Sequence, residues 1–459
     1  MLFTSRRKTI LLTLAGLSAV AAIACGSDDP PATFATQTPF PTSAAQPTAT
    51  QAPEPTAAGE ATTAAAAEAT ATQAPEPTAT QVAPAPGAPA GADRVDLTSD
   101  NFNWLVEEVG TGVKPVIAIA PDGTPNIAFM FEAMTGGFVK AGARTDGTWD
   151  ISTVAEGYYY GPLDIDVGPD GVAKVAWHDH QASSFKPNLG DIELGIKTAT
   201  GWVRKTLGDG GHDGWDTRLI IDDDGTVHAV GIDPMEFGGA GVEYYRLDTN
   251  GDFTVEEVGS GPLTYKFAVS VDVDSAGTPY VTYYDQDSND LILASRSGGS
   301  WTLETVDSEG DAGQFAEVVI DDNDRIHISY ATQTGNDEAV IKYAAKDVGE
   351  SSWTITDVDT LSSIFYGFEG AREITSIKID SAGNPWIAYT DETNLKLAVW
   401  DGGGFRTETI STAQDRGAVF GQLVSLGLDA GDVPHIVTFD VTDTGPLNGN
   451  VLYFKGTAR

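Results

Sequence analysis

Cysteine is almost missing from this chain: Cys25 is the only one in 459 residues. A chain with one thiol cannot close an internal disulfide, so whatever folds here is held by its core. Positive charge is scarce as well. From Asp93 onward 23 Lys and Arg face 60 Asp and Glu, a formal balance of −37. Such a body repels phosphate backbones, which argues against nucleic acid as a partner. Histidine is limited to six positions. Past Asp93 no stretch shows the periodicity of an amphipathic helix. The one sustained apolar run, Ile10 to Ala24, is too short for a typical membrane span.

That run has a role of its own. Arg6, Arg7 and Lys8 precede it and Ala22-Ile23-Ala24-Cys25 ends it, the layout of an export signal. The ending resembles the lipobox of bacterial lipoproteins. The resemblance implies that Cys25 is lipidated and anchors the mature chain to the outer face of the cell envelope. Residues 1–25 are therefore expected to be a signal peptide. Residues 26–92 are built from Ala, Thr, Pro and Gln and contain "TATQAPEPTA" twice. They have little to bury and are expected to form a disordered linker, with a maximal reach of about 200 Å in polyproline geometry.

Residues 93–459 carry an internal repeat. "SAGTPYVTYYD" (from Ser275) and "SAGNPWIAYTD" (from Ser381) are its best-matched copies. The turn residues of the series are Gly123, Gly171, Gly225, Gly277, Asp324, Gly383 and Asp432, 47 to 59 residues apart. Gly and Asp tolerate the left-handed backbone that such turns demand. Strand-like stretches flank each turn, and a further one opens on an aromatic residue, as in "WTLETV" (Trp301) and "WTITDV" (Trp353). One strand of that last kind, "WLVEEV" (Trp104), comes before the first turn, whereas the last repeat lacks its own. A closed array accounts for the offset. The expectation is an all-β, seven-bladed β-propeller of four-stranded antiparallel blades, closed when the N-terminal strand pairs into the last blade.

The turns "RTDGTW" (Arg144 to Trp149), "RSGGSW" (Arg296 to Trp301) and "GESSW" (Gly349 to Trp353) resemble the Asp-box of the sialidase-like superfamily of extracellular bacterial propellers. Its S-x-D-x-G-x-T-W pattern is degenerate here. The resemblance implies the propeller architecture. The three arginines and the Tyr–Glu pair that sialidases use have no assignable counterparts in this chain.

Candidate functional residues follow from the loop-bearing face of such a fold. Tyr158, Tyr159, Tyr160, Trp215, Tyr265 and Tyr366, with Lys266, Arg372 and Arg416, are candidates for a ligand platform. His178, His180, His212 and Asp213 are candidates for a metal cluster, because two histidines two apart on a strand end share a side. No cofactor is expected beyond a divalent cation at that cluster. Asp179, Asp233, Asp285, Asp391 and Asp440 recur at one strand end and are read as loop caps. His228, His327 and His435 share a slot with Trp386 and Tyr280 and are read as packing or exposed strand surface, rather than a metal site. Asp222, Asp272, Asp274, Asp321, Asp380 and Asp429 precede the hairpins and are read as turn residues. The expected function is that of a monomeric, lipid-anchored surface module binding glycans or protein partners. The alternatives are a glycoside hydrolase or polysaccharide lyase, and an envelope scaffold.

Overall fold

In the computed structural model the described residues are 94–459, except 134–135, 158, 180–189, 209–213, 234–240, 260–268, 336–337, 348, 362–373, 392, 417–418 and 442–447. The chain divides into two units between Thr78 and Ala79, and every described residue belongs to the second. The expected signal peptide, with Cys25, and the expected linker lie outside the described residues.

The described body is antiparallel β-structure. The chain runs through β1 (Arg94–Thr98), β2 (Phe102–Ile119), β3 (Pro125–Ala133), β4 (Gly136–Thr145) and β5 (Thr148–Gly157). Next come β6 (Tyr159–Val167), β7 (Ala173–Asp179), β8 (Asp191–Thr198) and β9 (Gly201–Thr206). These are followed by β10 (Trp215–Ile221), β11 (Val227–Asp233), β12 (Gly241–Leu247) and β13 (Phe253–Gly259). Then come β14 (Ser270–Val273), β15 (Pro279–Asp285), β16 (Asp290–Ser297) and β17 (Ser300–Asp307). β18 (Asp311–Ile320), β19 (Ile326–Gln333), β20 (Ala339–Lys346) and β21 (Thr354–Leu361) form the next group. The chain finishes with β22 (Thr375–Ile379), β23 (Pro385–Thr390), β24 (Asn394–Trp400), β25 (Phe405–Thr412), a single turn α1 (Ala413–Arg416), β26 (Val419–Leu428), β27 (Pro434–Val441) and β28 (Gly449–Ala458).

Five separate four-stranded sheets result, β6 to β9, β10 to β13, β14 to β17, β18 to β21 and β22 to β25. The molecule is a propeller of four-stranded antiparallel blades, but its discrete blades number five, not the expected seven. The other strands form one eight-stranded sheet in the order β26-β27-β28-β2-β3-β4-β5, with β1 on the side of β2. The physical reason is β2, whose 18 residues contain no turn. Its first part pairs with β28, with Trp104 opposite Gly456, and its last part pairs with β3, with Ile119 opposite Pro125. Two repeat units are thereby fused into one sheet. The strand carrying Trp104 does dock beside the last strand of the chain, as the offset in the repeats demanded.

The first strand of each unit lies innermost. β6 touches β10, β10 touches β14, and so on to β26, which touches β2 and completes a ring. The core is accordingly a series of layers between sheets. In one of them Val116, Ala128 and Met130 meet Leu163, Val175 and Trp177. In another Trp104 and Phe454 meet Trp386 and Leu397. Charged clasps rim these layers. Arg144 holds Glu107 through two bonds of 2.8 and 2.7 Å, and Trp149 Nε1 donates to the same carboxylate. Arg296 grips Glu256 in the same way, and Lys346 with Trp353 grips Glu304. The arginines and tryptophans of the Asp-box-like turns are therefore used in joining neighbouring repeats.

Candidate functional site

The two ends of the ring are built differently. At one end each first strand turns into the second through five residues in every repeat, from Ala120 to Thr124 in the first and from Asp429 to Val433 in the last. Each turn residue read from the sequence adopts a left-handed backbone, with φ from 73° at Gly277 to 84° at Gly123 and Gly225, and 62° and 57° at Asp324 and Asp432. At the other end the loops between second and third strands run from two residues, between Ala133 and Gly136, to eleven, between Asp179 and Asp191. Connections between repeats leave from that same end. We call the first the hairpin rim and the second the loop rim.

On the hairpin rim one carboxylate organises each turn. Asp321 Oδ1 accepts the N–H groups of Asn323 and Arg325, both at 2.9 Å, and Asp274, Asp380 and Asp429 do the same in their turns. The second oxygen reaches a strand. Asp222, Asp321 and Asp429 meet His228, His327 and His435 at 3.0, 3.4 and 3.4 Å. A carboxylate only accepts, so Nε2 carries the imidazole proton and Nδ1 takes the O–H of Tyr244, Tyr343 or Tyr453 at 2.6 to 2.7 Å. Burial pushes all three imidazoles below their ordinary value, His435 to about 4. These histidines are buried neutral struts, the packing alternative of the two that the sequence left open; in the same slot Trp386 Nε1 donates to Asp380 at 3.1 Å.

On the loop rim the recurring aspartates take several parts. Asp285 and Asp391 cap their own loops, accepting N–H groups of Asp287 at 3.0 Å and of Thr393 and Asn394 at 2.7 and 2.6 Å. Asp179 pairs with Arg204 at 2.7 Å, and Asp440 accepts Asn450 Nδ2 at 2.9 Å. Trp215 and His178, from adjacent sheets, stack with ring centroids 5.2 Å apart. Both are buried, His178 completely. A Cβ at Gly190 would fall 2.4 Å from His178 Cε1, so glycine there admits the ring. The structure thus packs Trp215 and His178 against each other between adjacent sheets. Their proposed companions Tyr158, His180, His212, Asp213, Tyr265, Lys266, Tyr366 and Arg372 lie outside the described residues, as do the side chains of Tyr159, Tyr160 and Arg416. Among the described residues no group of three or more His, Cys, Asp or Glu stands ready for a metal ion.

A cavity of about 330 Å³ occupies the centre of the ring. Its wall includes Asp164, Asp166, Arg218, Asp272, Glu317 and Lys378. Asp272 was read as a turn residue; it instead stands on the inner strand β14 and faces this cavity. Lys378 Nζ binds Glu317 Oε1 at 2.7 Å, and Glu317 together with the carboxylates of Asp164 and Asp272 offsets the burial that would depress the ammonium. Burial pushes Asp166 up to about 7 and Asp272 up to about 6, and raises Asp164. Asp216, deeper toward the loop rim, is likewise pushed up to about 7 by burial. Sequence reasoning missed this set. The available signal was the alternation of polar residues in first strands, as in "LDIDVG" and "VSVDVD".

No family model matches the chain, and no curated protein does. Solved structures do. An ulvan lyase, a polysaccharide lyase bound to -[GlcA(1-4)Rha3S]-, matches with a TM-score of 0.50 at 11% identity, over 75% of this chain and 94% of its own. The Aleuria aurantia lectin in complex with Fucα1-6GlcNAc matches at TM-score 0.43 and 14% identity, over 64% of this chain and 94% of its own. A sialidase from a Hadza microbial source matches at TM-score 0.41 and 11% identity, over 71% and 74%. At such identities the likeness is one of fold. The chain is an all-β propeller similar in fold to the ulvan lyase.

Proposed function

We propose that this protein is a lipid-anchored surface propeller that binds glycans at its loop rim. The observation that carries the reading is the contrast between the ends of the ring. Five-residue hairpins recur at one rim, whereas loops of two to eleven residues crowd the other. Variable loops on a rigid frame are where recognition resides. Aromatics in the connecting segments, Tyr158 to Tyr160, Tyr265 and Tyr366 among them, supply the apolar faces that sugar rings stack on. Anchoring at Cys25 and display outside the cell belong to the same reading and rest on the sequence of the leader.

The test uses the full chain on a glycan array. A restricted set of glycans should bind, and replacing the loop between Asp179 and Asp191 by the four residues that join Asp285 to Asp290 should abolish binding without lowering Tm. A blank array, with a protein recovered from envelope extracts instead, would turn the reading to a protein partner. Palmitate labelling should be lost in Cys25→Ala; label retained there would overturn the anchor.

A further inference from the structure

The central cavity carries chemistry that the loop rim does not use. At its upper level side chains of one inner strand accept backbone N–H groups of the next. Asp164 takes Leu219 at 3.0 Å, Ser270 takes Val318 at 3.1 Å and Glu317 takes Ile377 at 2.9 Å. Ser376 takes Leu426 at 3.1 Å, and Ser425 takes Ile117 at 3.2 Å across the closing junction. Inner strands are sheet edges, and these bonds satisfy groups that would otherwise be orphaned. Three of the five acceptors are serines, so a neutral oxygen suffices. The charges around the cavity exceed what joining the strands requires.

Those charges are unevenly compensated. Glu317 is held by Lys378, whose ammonium also acts at longer range on Asp164, Asp166 and Asp272, and Arg218 acts on both Asp164 and Asp216. Nearer the hairpin rim, Asp166 and Asp272 stand on the strands either side of β10, where Ile220 occupies the equivalent position. Each accepts two N–H groups, Asp166 from Val167 and Ile221 and Asp272 from Val273 and Ile320. Neither makes an ion pair among the described residues. The neighbouring wall includes the apolar Ile119, Ile220 and Leu428, with Lys378 at the equivalent position of β22, its ammonium bound to Glu317. Thr375, another wall residue and only 2% exposed, has a hydroxyl with no hydrogen-bond partner among the described residues.

We infer that this cavity is a second binding site, distinct from the loop rim, for a small aliphatic ammonium compound. Its cationic head lies at Asp166 and Asp272, and its carbon body lies against Ile119 and Ile220. A bare divalent ion is a poorer match, because it needs six or more oxygens and these carboxylate oxygens already accept backbone N–H groups. An ammonium head needs two or three acceptors, and its alkyl portion gains from the apolar wall. The cavity is near the lower end of the about 300–1,000 Å³ typical of small-molecule sites.

The experiment is calorimetric titration of the full chain with 1-aminobutane at pH 8, paired with thermal melts. Saturable binding and a raised Tm are expected, with no effect from 1-butanol. Asp166→Asn with Asp272→Asn should abolish binding. Asp164→Ser, which installs the residue found at three equivalent positions, should keep the fold and weaken binding less. Between pH 8 and pH 5 the wild type should lose at least about tenfold in affinity, since the ligand selects ionised carboxylates. Asp164 on the same strand, Arg218, Glu317 and Lys378 are the other charged groups facing the cavity. Equal stabilisation by sodium or calcium at matched ionic strength would reduce the effect to screening of an acidic protein. Unchanged affinity at pH 5, or binding retained by the double variant, would overturn the site.

Discussion

The hairpin rim and the loop rim are made from the same strands, yet one repeats itself and the other does not. At the hairpin rim a fixed turn length lets a single carboxylate serve two backbone N–H groups and a buried ring. At the loop rim the equivalent aspartates cap a loop, pair with an arginine or bind an asparagine, depending on the loop. A repeated set of bonds is what the ring needs in order to stand. A set that changes from repeat to repeat is free to be used for something else.

Breaking the hairpin rim should cost most. Asp321→Ala removes the acceptor of two backbone N–H groups and the partner of His327, and about 3 kcal/mol of stability should go with them, read from urea denaturation. A smaller loss is expected for Gly277→Ala, about 1–2 kcal/mol, because φ is 73° there and L-residues resist it although nothing lies within 4 Å. Asp324 already sits in that conformation, and its carboxylate is held by the N–H and hydroxyl of Ser275 in the preceding repeat, at 2.8 and 2.9 Å.

Acidity probes the space between the rims. Asp166, Asp216 and Asp272 have raised values in the folded state, so their contribution is fully present below the unfolded value near 4 and is lost as pH rises through about 6 to 7. Lowering pH from 8 to 6.5 should therefore stabilise the protein, on the order of 1 kcal/mol per carboxyl at most. Below pH 6.5 the depressed histidines oppose the trend, since their contribution fades as pH falls toward about 4 for His435. Melts of Asp166→Asn should show a flatter rise, and a slope identical to wild type would remove Asp166 from this account. The smallest effect belongs to the loop rim. Arg204→Ala breaks the pairs with Asp179 and Glu193 and removes the guanidinium from over Trp177, but the arginine is 38% exposed, and less than about 1 kcal/mol should be lost. A larger loss would erase the distinction between the rims.

Much of the frame was legible in the sequence. Every turn position was marked by Gly or Asp, and each of them has the left-handed backbone. The unpaired aromatic strand at the start announced the junction of Trp104 with Gly456. The division into sheets was not legible, because Gly110-Thr111-Gly112 looks like a boundary yet pairs with Val451 to Gly449 inside a continuous strand. The cavity was hidden for another reason. Asp272 and Asp274 stand two apart in "DVDSAG" and look alike as turn formers. One faces the centre of the ring and holds Ile320, whereas the other holds its own turn. Only the arrangement of adjacent sheets separates the two.

The β2 strand also bears on how the molecule comes apart. Linear stacks of repeats lose their end units first, one at a time, because an outermost unit has a single neighbour. Here the opening and closing segments of the body lie side by side in one sheet, and Glu408 of β25 clasps Ser99 and Asn101 where β1 turns into β2. Neither end of the described body offers a fraying point, so partial unravelling of it is disfavoured and its denaturation should be all-or-none. A protease would have to enter the folded body through its loops rather than nibble inward from its first or last strand.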